Sequence, residues 1–285
     1  MGKSIEDLRL YIESSIVEFV NDSIHNSLDE SLPERAWDLP LVGFSKGDDE
    51  IYYKLKEDIG EFHWTPEDIF LKVYPELKVQ PIELTVISWI LPQTKKTKAE
   101  QRCDSIYPAK RAVLARTHGE VFNEKIGKFL VNLLENEGIK AIVPGQSSLW
   151  ENKKSEKYGF ASTWSERHVA YISGLGTFSL TDALITPLGT AVRIGSVIAN
   201  ISIKPTKRKY SNHNEYCLFY SRGTCMNCAK RCPAYAITEK GHDKIKCREY
   251  QRNIASKHTK EAYNIDSNYC GICLFGTPCE SCIPL

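Results

Sequence analysis

No run of about eighteen apolar residues occurs anywhere in this chain, so no membrane-spanning helix is expected. The start, "MGKSIEDLRLYIESSIVEF", lacks the build of a secretory leader, because acidic residues interrupt its apolar part. It also has no Ser or Thr where an N-myristoylation signal requires one. A cytoplasmic protein is the expectation. Excess charge is missing too: 37 Lys and Arg stand against 36 Asp and Glu. A large nucleic-acid footprint shows as a basic surplus, and the chain as a whole has none. Internal repeats and low-complexity tracts are absent. Cysteine is nearly missing before residue 217, where Cys103 stands alone; nine of the ten cysteines fall between Cys217 and Cys282.

What is present suffices for one large core, or one core and a small second domain: 285 residues, 42 % of them hydrophobic. Leu8, Ile12, Ile16 and Phe19 recur at helical spacing over residues 4–28. Residues 29–60 are mixed, broken by Pro33, Pro40 and Gly43. "LTVISWIL", Leu84 to Leu91, reads as a buried strand. Thr117 and Glu120 form a capping box that predicts a helix start, closed by Gly138. "IKAIVP" reads as a strand. Thr163 and Glu166 predict a second capped start, and "ALITPLGTAVRIGSVIAN" a hairpin turning at Pro187–Gly189. The expectation is an α/β (α+β) fold: a mixed N-terminal region over 1–80, a core over 81–203, a polar linker over 204–216 and a cysteine-rich module over 217–285.

The module spaces its thiols as Cys217-x7-Cys225-x2-Cys228-x3-Cys232-Pro233, then Cys247 alone, then Cys270-x2-Cys273-x5-Cys279-x2-Cys282. In a reducing compartment such clustering points to metal ligation over disulfides. A cluster of four irons and four sulfides needs four thiolates, and in two-cluster ferredoxins the cysteine of the Cys-Pro pair crosses to the other cluster. The run departs from the common bacterial spacing, because Arg222 stands where its first cysteine would be and Cys217 takes that place over a longer loop. The order assigns Cys217, Cys225, Cys228 and Cys279 to one [4Fe-4S] cluster, and Cys232, Cys247, Cys270 and Cys273 to another. Cys103 and Cys282 are left over, although Cys282 is close enough in sequence to replace Cys279. Zinc is the alternative metal, since two C-x2-C pairs make a tetrahedral site. It leaves Cys232-Pro233 and several thiols unexplained.

With the lone "KCREY" between the runs, this order resembles the iron–sulfur module of epoxyqueuosine reductases and reductive dehalogenases. "SERHVAYISGLGTFSLTDALITPLGTAVRIGSVI" is similar to the stretch where that superfamily carries an "ER", a Gly-Leu-Gly and a "GS" strand, and "AVLARTHGEVFNEKI" to its Arg-rich helix start. The resemblance covers about residues 80–285. It implies a nitroreductase-like domain that binds a corrinoid (cobalamin), followed by a ferredoxin-like module whose two clusters feed electrons to the cobalt. It further implies a low-potential donor of the ferredoxin or flavodoxin type, and a small-molecule substrate or a corrinoid protein as acceptor. Gly174, Leu175, Gly176, Thr177, Phe178 and Ser179 are the candidate corrinoid contacts, since glycine admits a flat macrocycle close to the backbone. Gly174 has a second reading as a helix cap.

The superfamily's acid, in a "VDSAP"-like stretch upstream of "ER", falls here on Phe160. Ser162, Thr163 and Ser165 are the polar groups nearby. His118 replaces a tyrosine and is the candidate proton donor; an exposed helical residue is its other reading. His168 reads as a packing residue, and Glu166 and Arg167 as a helix-start acid and a structural ion pair. Gly189 and Gly195 read as turn and close-packing glycines. The chain stops at Leu285, directly after the module, without the helical repeats that help many epoxyqueuosine reductases hold tRNA. Transfer RNA is therefore the less favoured substrate. A tRNA epoxyqueuosine reductase remains one alternative, and a non-catalytic electron-transfer or corrinoid-activating protein another.

Overall fold

The computed structural model describes residues 5–29 and 34–285; Pro33, read above as a breaker, lies outside them. The centre is a four-stranded antiparallel sheet of order β1-β2-β8-β3, made of β1 (Leu41–Lys46), β2 (Leu84–Pro92), β3 (Ala141–Ile142) and β8 (Val192–Asn200). The predicted strand at Leu84 is real and buried along its whole length. It pairs with β8 from Leu84↔Asn200 to Pro92↔Val192.

Alternation sends the strand's side chains to two faces. Ile87, Trp89 and Leu91 meet α1 (Ile5–Asp22) and α5 (Lys110–Asn136), while Val86 and Ile198 meet α3 (Pro66–Val73) and α6 (Glu166–Ile172). Each fully buried Ile or Leu contributes about 1.5–3 kcal/mol here. Two more helices, α2 (Glu50–Ile59) and α4 (Lys95–Arg102), flank the core. Short pairs β4 (Asn152–Ser155) with β5 (Gly159–Ser162), and β6 (Thr177–Phe178) with β7 (Leu184–Ile185), decorate it.

Three local readings need correction. Helix α5 begins at Lys110, not at Thr117, whose hydroxyl donates to the Val113 and Leu114 carbonyls inside the helix. Its N-cap, Ala109, has no capping side chain. The cap comes from α4, where Gln101 accepts from the Ala109 amide at 2.7 Å and Glu100 from the Arg111 amide at 3.2 Å. The Gly138 end holds, with φ +77 and the Ile139 amide returning to Leu134. At α6 the N-cap position is Ser165; Thr163 instead accepts from the Glu151 amide. No hairpin turns at Pro187–Gly189, because β7 pairs with β6 and β8 with β2. Only a bridge between Thr186 and Gly189 forms there.

Residues 204–216 carry no regular element, yet they are fastened to the core. Phe44 and Thr206 exchange two hydrogen bonds, and Arg208 pairs with Asp49 at 2.9 Å. The module then folds as α7 (Leu218–Arg222), α8 (Asn227–Arg231), the pair β9 (Ile237–Thr238) and β10 (Gly241–His242), α9 (Lys244–Tyr250) and α10 (Ser256–Tyr263). One wide turn over Gln251–Ala255 joins the last two helices, a geometry frequent at functional sites.

The module docks through Glu280. Its side chain is 5 % exposed and takes two bonds from Arg102 Nε, at 3.0 and 2.9 Å. Arg102 itself is half exposed, so the pair is worth less than a fully buried one. Replacing Arg102 with alanine leaves a buried carboxylate unpaired and is expected to cost about 1–3 kcal/mol. A shift in the urea midpoint checks this; a change below about 0.5 kcal/mol, the scale of an inconsequential surface substitution, would show that the ion pair does not anchor the module.

Candidate redox site between the sheet and the cysteine module

All ten cysteines are free thiols, and the structure gathers eight of them into two groups. Cys217, Cys225, Cys228 and Cys279 line one small cavity, walled by Leu180, Ile185 and Phe219. Cys232, Cys247, Cys270 and Cys273 line a second, much larger one. Cys273 borders both. Cys282 is exposed and lines neither, and Cys103 lies exposed at the end of α4. Burial pushes the Cys228 and Cys270 thiols up to about 12, and neighbouring cysteines add to the shift. Cys273 moves further up for the same reasons.

This donor chemistry fits two clusters: four thiols in each group, with apolar residues packed among them. Among the described residues, no three Cys, His, Asp or Glu side chains converge as donors to a single ion.

The large cavity holds about 750 Å3, within the usual range for a small-molecule site. One wall belongs to the core. Trp89 of β2 lies across β8, where a Cβ on Gly195 would come within 2.4 Å of its ring. The close-packing role read for Gly195 is what the backbone shows. The Trp89 indole donates to Asn123 at 2.8 Å, and Asn123 donates to Glu120 at 3.2 Å. Glu120 in turn pairs with Arg116 at 2.7 Å and with Arg193. Arg116, Glu120 and Asn123 share one face of α5 because they are spaced by four and three residues. The other wall belongs to the module, with His242, Tyr250, Gln251 and Tyr269 beside the second thiol group. Asp182 bonds His242 at 3.0 Å. That bond and one to Cys247 push the imidazole up to about 9.

Glu166 sits between the walls at the start of α6 and faces the cavity. It forms no pair with Arg167, which donates to the Asp182 carbonyl instead. The structural ion pair expected of these two residues is therefore absent. Burial raises the Glu166 carboxyl to about 7, against the pull of Ser196 and Arg193. Its Oε2 and the Arg193 Nε are buried without a partner. The polar side chains that line the cavity, Arg116, Glu120, Asn123 and Gln251 among them, fit a ligand rich in amide groups, as a corrinoid is.

The other candidates lie elsewhere. His118 is exposed, two positions from both Arg116 and Glu120 and so on the opposite side of α5. None of Gly174–Ser179 lines the large cavity. Gly174, at φ +79, closes α6 through the Leu175 amide, which donates to Ala170. A Cβ on Gly176 would lie 2.2 Å from the Ile185 carbonyl, and Thr177 accepts from the Tyr216 amide. Leu175 is buried among Ile90 and Ala170, and the Phe178 ring lies tilted against His168 and Tyr171. Ser179 borders the small cavity. His168 packs against Phe178 and bonds Ser165 at 2.8 Å, and burial drives its pKa down to about 3. Phe160 is 48 % exposed on β5 beneath the Arg248 guanidinium. Sequence reading did not single out Arg193, His242 or Tyr269, and it took Glu120 for a capping residue, because no spacing joins residues from four separate segments.

No family model matches the chain. The tetrachloroethene reductive dehalogenase of Desulfitobacterium hafniense is 30 % identical over 118 residues, which are 40 % of this chain and 20 % of that protein. The enzyme of that name from Sulfurospirillum multivorans is 32 % identical over 114 residues, 37 % of this chain and 22 % of that one. The chain thus matches about a fifth of the length of these curated relatives. Among solved structures, an epoxyqueuosine reductase superposes with a TM-score of 0.51 at 16 % identity, over 97 % of this chain and 66 % of that chain. A catabolic reductive dehalogenase in complex with 3-bromo-4-hydroxybenzoic acid gives 0.51 at 14 % identity, over 86 % and 30 %. Both kinds of relative are reductases, and the superfamily resemblance expected from the cysteine order holds.

Proposed function

We propose that this chain, a relative of the epoxyqueuosine reductases and reductive dehalogenases, is a corrinoid (cobalamin)-dependent iron–sulfur oxidoreductase. The observation that carries this reading is the second thiol group, which forms one wall of the large cavity. An electron carrier built there delivers directly to whatever the cavity holds. In this reading residues 81–203 are a nitroreductase-like corrinoid domain, and residues 217–285 a ferredoxin-like module. Cys217, Cys225, Cys228 and Cys279 hold the outer [4Fe-4S] cluster; Cys232, Cys247, Cys270 and Cys273 hold the inner one. A bound corrinoid supplies low-potential two-electron chemistry at its metal.

The chain's own residues do the remaining work. Asn123, Gln251 and the Arg116–Glu120–Arg193 network offer hydrogen bonds to polar side arms. Trp89 and Trp164 exclude water from the core side. The donor is a ferredoxin or flavodoxin type of protein, and the acceptor is a small molecule. A pure electron carrier needs no acid in the cavity, so Glu166 weighs against that alternative.

Anaerobic reconstitution with iron, sulfide and hydroxocobalamin tests the reading. The expected result after desalting is about eight irons and one cobalt per chain. Iron at that level without cobalt would reduce the protein to a ferredoxin-like carrier.

A further inference from the structure

We infer that Glu166 is the proton donor of the large cavity, in place of the acid that Phe160 has displaced. This rests on the function proposed above and assigns its missing proton. The carboxyl stands at the first turn of α6, and Oε2 has no hydrogen-bond partner within the protein. The side chain as a whole lines the same cavity as the inner thiol group. The backbone of Gly145 makes room for it: a Cβ there would lie 2.9 Å from Oε1.

The titratable groups around Glu166 come from several elements. Tyr52 of α2, Glu120 of α5 and Arg193 of β8 feel its charge, and Arg116, Glu124, Arg167, His242 and Tyr269 line the same cavity. Glu120 is already paired with both Arg116 and Arg193. Glu166 therefore lacks a dedicated counter-ion, and its proton is held by burial. An acid that titrates near 7 is matched to donation at neutral pH.

The step balances for a substrate R–X whose carbon–heteroatom bond is cleaved reductively. Two electrons would come from the low-potential donor, by way of the clusters that the eight thiols would hold. The C–X bond breaks and X leaves with the bonding pair. A C–H bond forms with the Glu166 proton, and solvent returns a proton to the carboxylate. Because the acid form is the donor, the rate falls as pH rises through about 7. The raised pKa also means that Glu166 stabilises the fold at low pH, and that this contribution is lost between its ordinary value of 4.5 and about 7.

The test compares wild type with Glu166→Gln. Infrared difference spectra of the unloaded protein, taken across pH 5–9, should show a protonated-carboxyl C=O band that disappears around 7 and is missing in E166Q. The same proteins, loaded with clusters and hydroxocobalamin, are then reduced chemically and offered tetrachloroethene as a probe. E166Q should still accept electrons at its cobalt while turnover drops about 100- to 10,000-fold. Absence of the titrating band overturns the assignment, as does an E166Q enzyme that turns over like wild type, which would move the role to Tyr269. Should wild type prove inert toward this probe, the infrared titration decides alone. Protein that takes up no cobalt sinks the proposed function, and a band lost in E166Q would still fix Glu166 as the acid of this cavity.

Discussion

Cys273→Ser lowers the iron recovered on reconstitution from about eight to about four per chain. This is the largest single-residue effect expected. Cys273 borders both cavities, and Cys270, Cys232, Cys247 and Cys228 all add to the rise of its pKa. A serine hydroxyl is a poor ligand for a cluster, and three thiolates do not complete the inner site. The outer group keeps its four and retains its share of iron. Electron paramagnetic resonance of the reduced protein would then show one isolated cluster instead of two interacting ones. Cys103→Ser and Cys282→Ser, both at exposed positions outside the cavities, should keep the full iron content. If Cys273→Ser loaded as much iron as wild type, the grouping would be wrong.

Gly189→Ala is expected to cost about 3 kcal/mol or more and to loosen the module from the core. Two effects add. The residue sits at φ +85, where alanine is strained by about 1 kcal/mol. Its Cβ would also lie 2.1 Å from the Glu280 carbonyl oxygen, an overlap with backbone that no side-chain rotation relieves. Gly223 provides the control. Its φ is +66, yet a Cβ there meets nothing within 4 Å, so Gly223→Ala carries the strain alone. The amides of Thr190 and Ala191, which donate to Cys279 and Glu280, should exchange with solvent much faster in Gly189→Ala. Equal losses of stability in the two variants would mean that the contact with Glu280 does not matter.

The parts of this fold that were legible in the sequence are those whose cause is local. The buried strand at Leu84 announced itself by β-branched residues between prolines, and the end of α5 by Gly138. The start of α5 did not, because its capping groups, Glu100 and Gln101, belong to the preceding helix. The false hairpin has a similar origin. Gly189 does close a turn with Thr186, as read, but the strands on either side pair elsewhere, and its Cα also packs against Glu280 some ninety residues downstream. In the site, Cys-x2-Cys pairs and a Cys-Pro marked eight thiols, since a cluster imposes spacing on its ligands. The cavity imposes none. Its polar groups come singly from α5, α6, β8 and the module, and Glu166 read as an ordinary helix-start acid because only the folded chain shows that Oε2 has no partner.

Beside the Arg102–Glu280 ion pair and the His242–Asp182 contact, the join between core and module has neutral bonds. Thr190 gives its amide to the Cys279 carbonyl at 2.9 Å, Ala191 gives its own to Glu280, and the Thr190 hydroxyl reaches the Leu274 carbonyl. None of these donors or acceptors titrates, and none is screened by salt. The carboxyl across the cavity is not among the groups that make these bonds, so its protonation leaves them unchanged. Under the proposed function, the distance that electrons cover would then be set apart from the charge that moves with the proton.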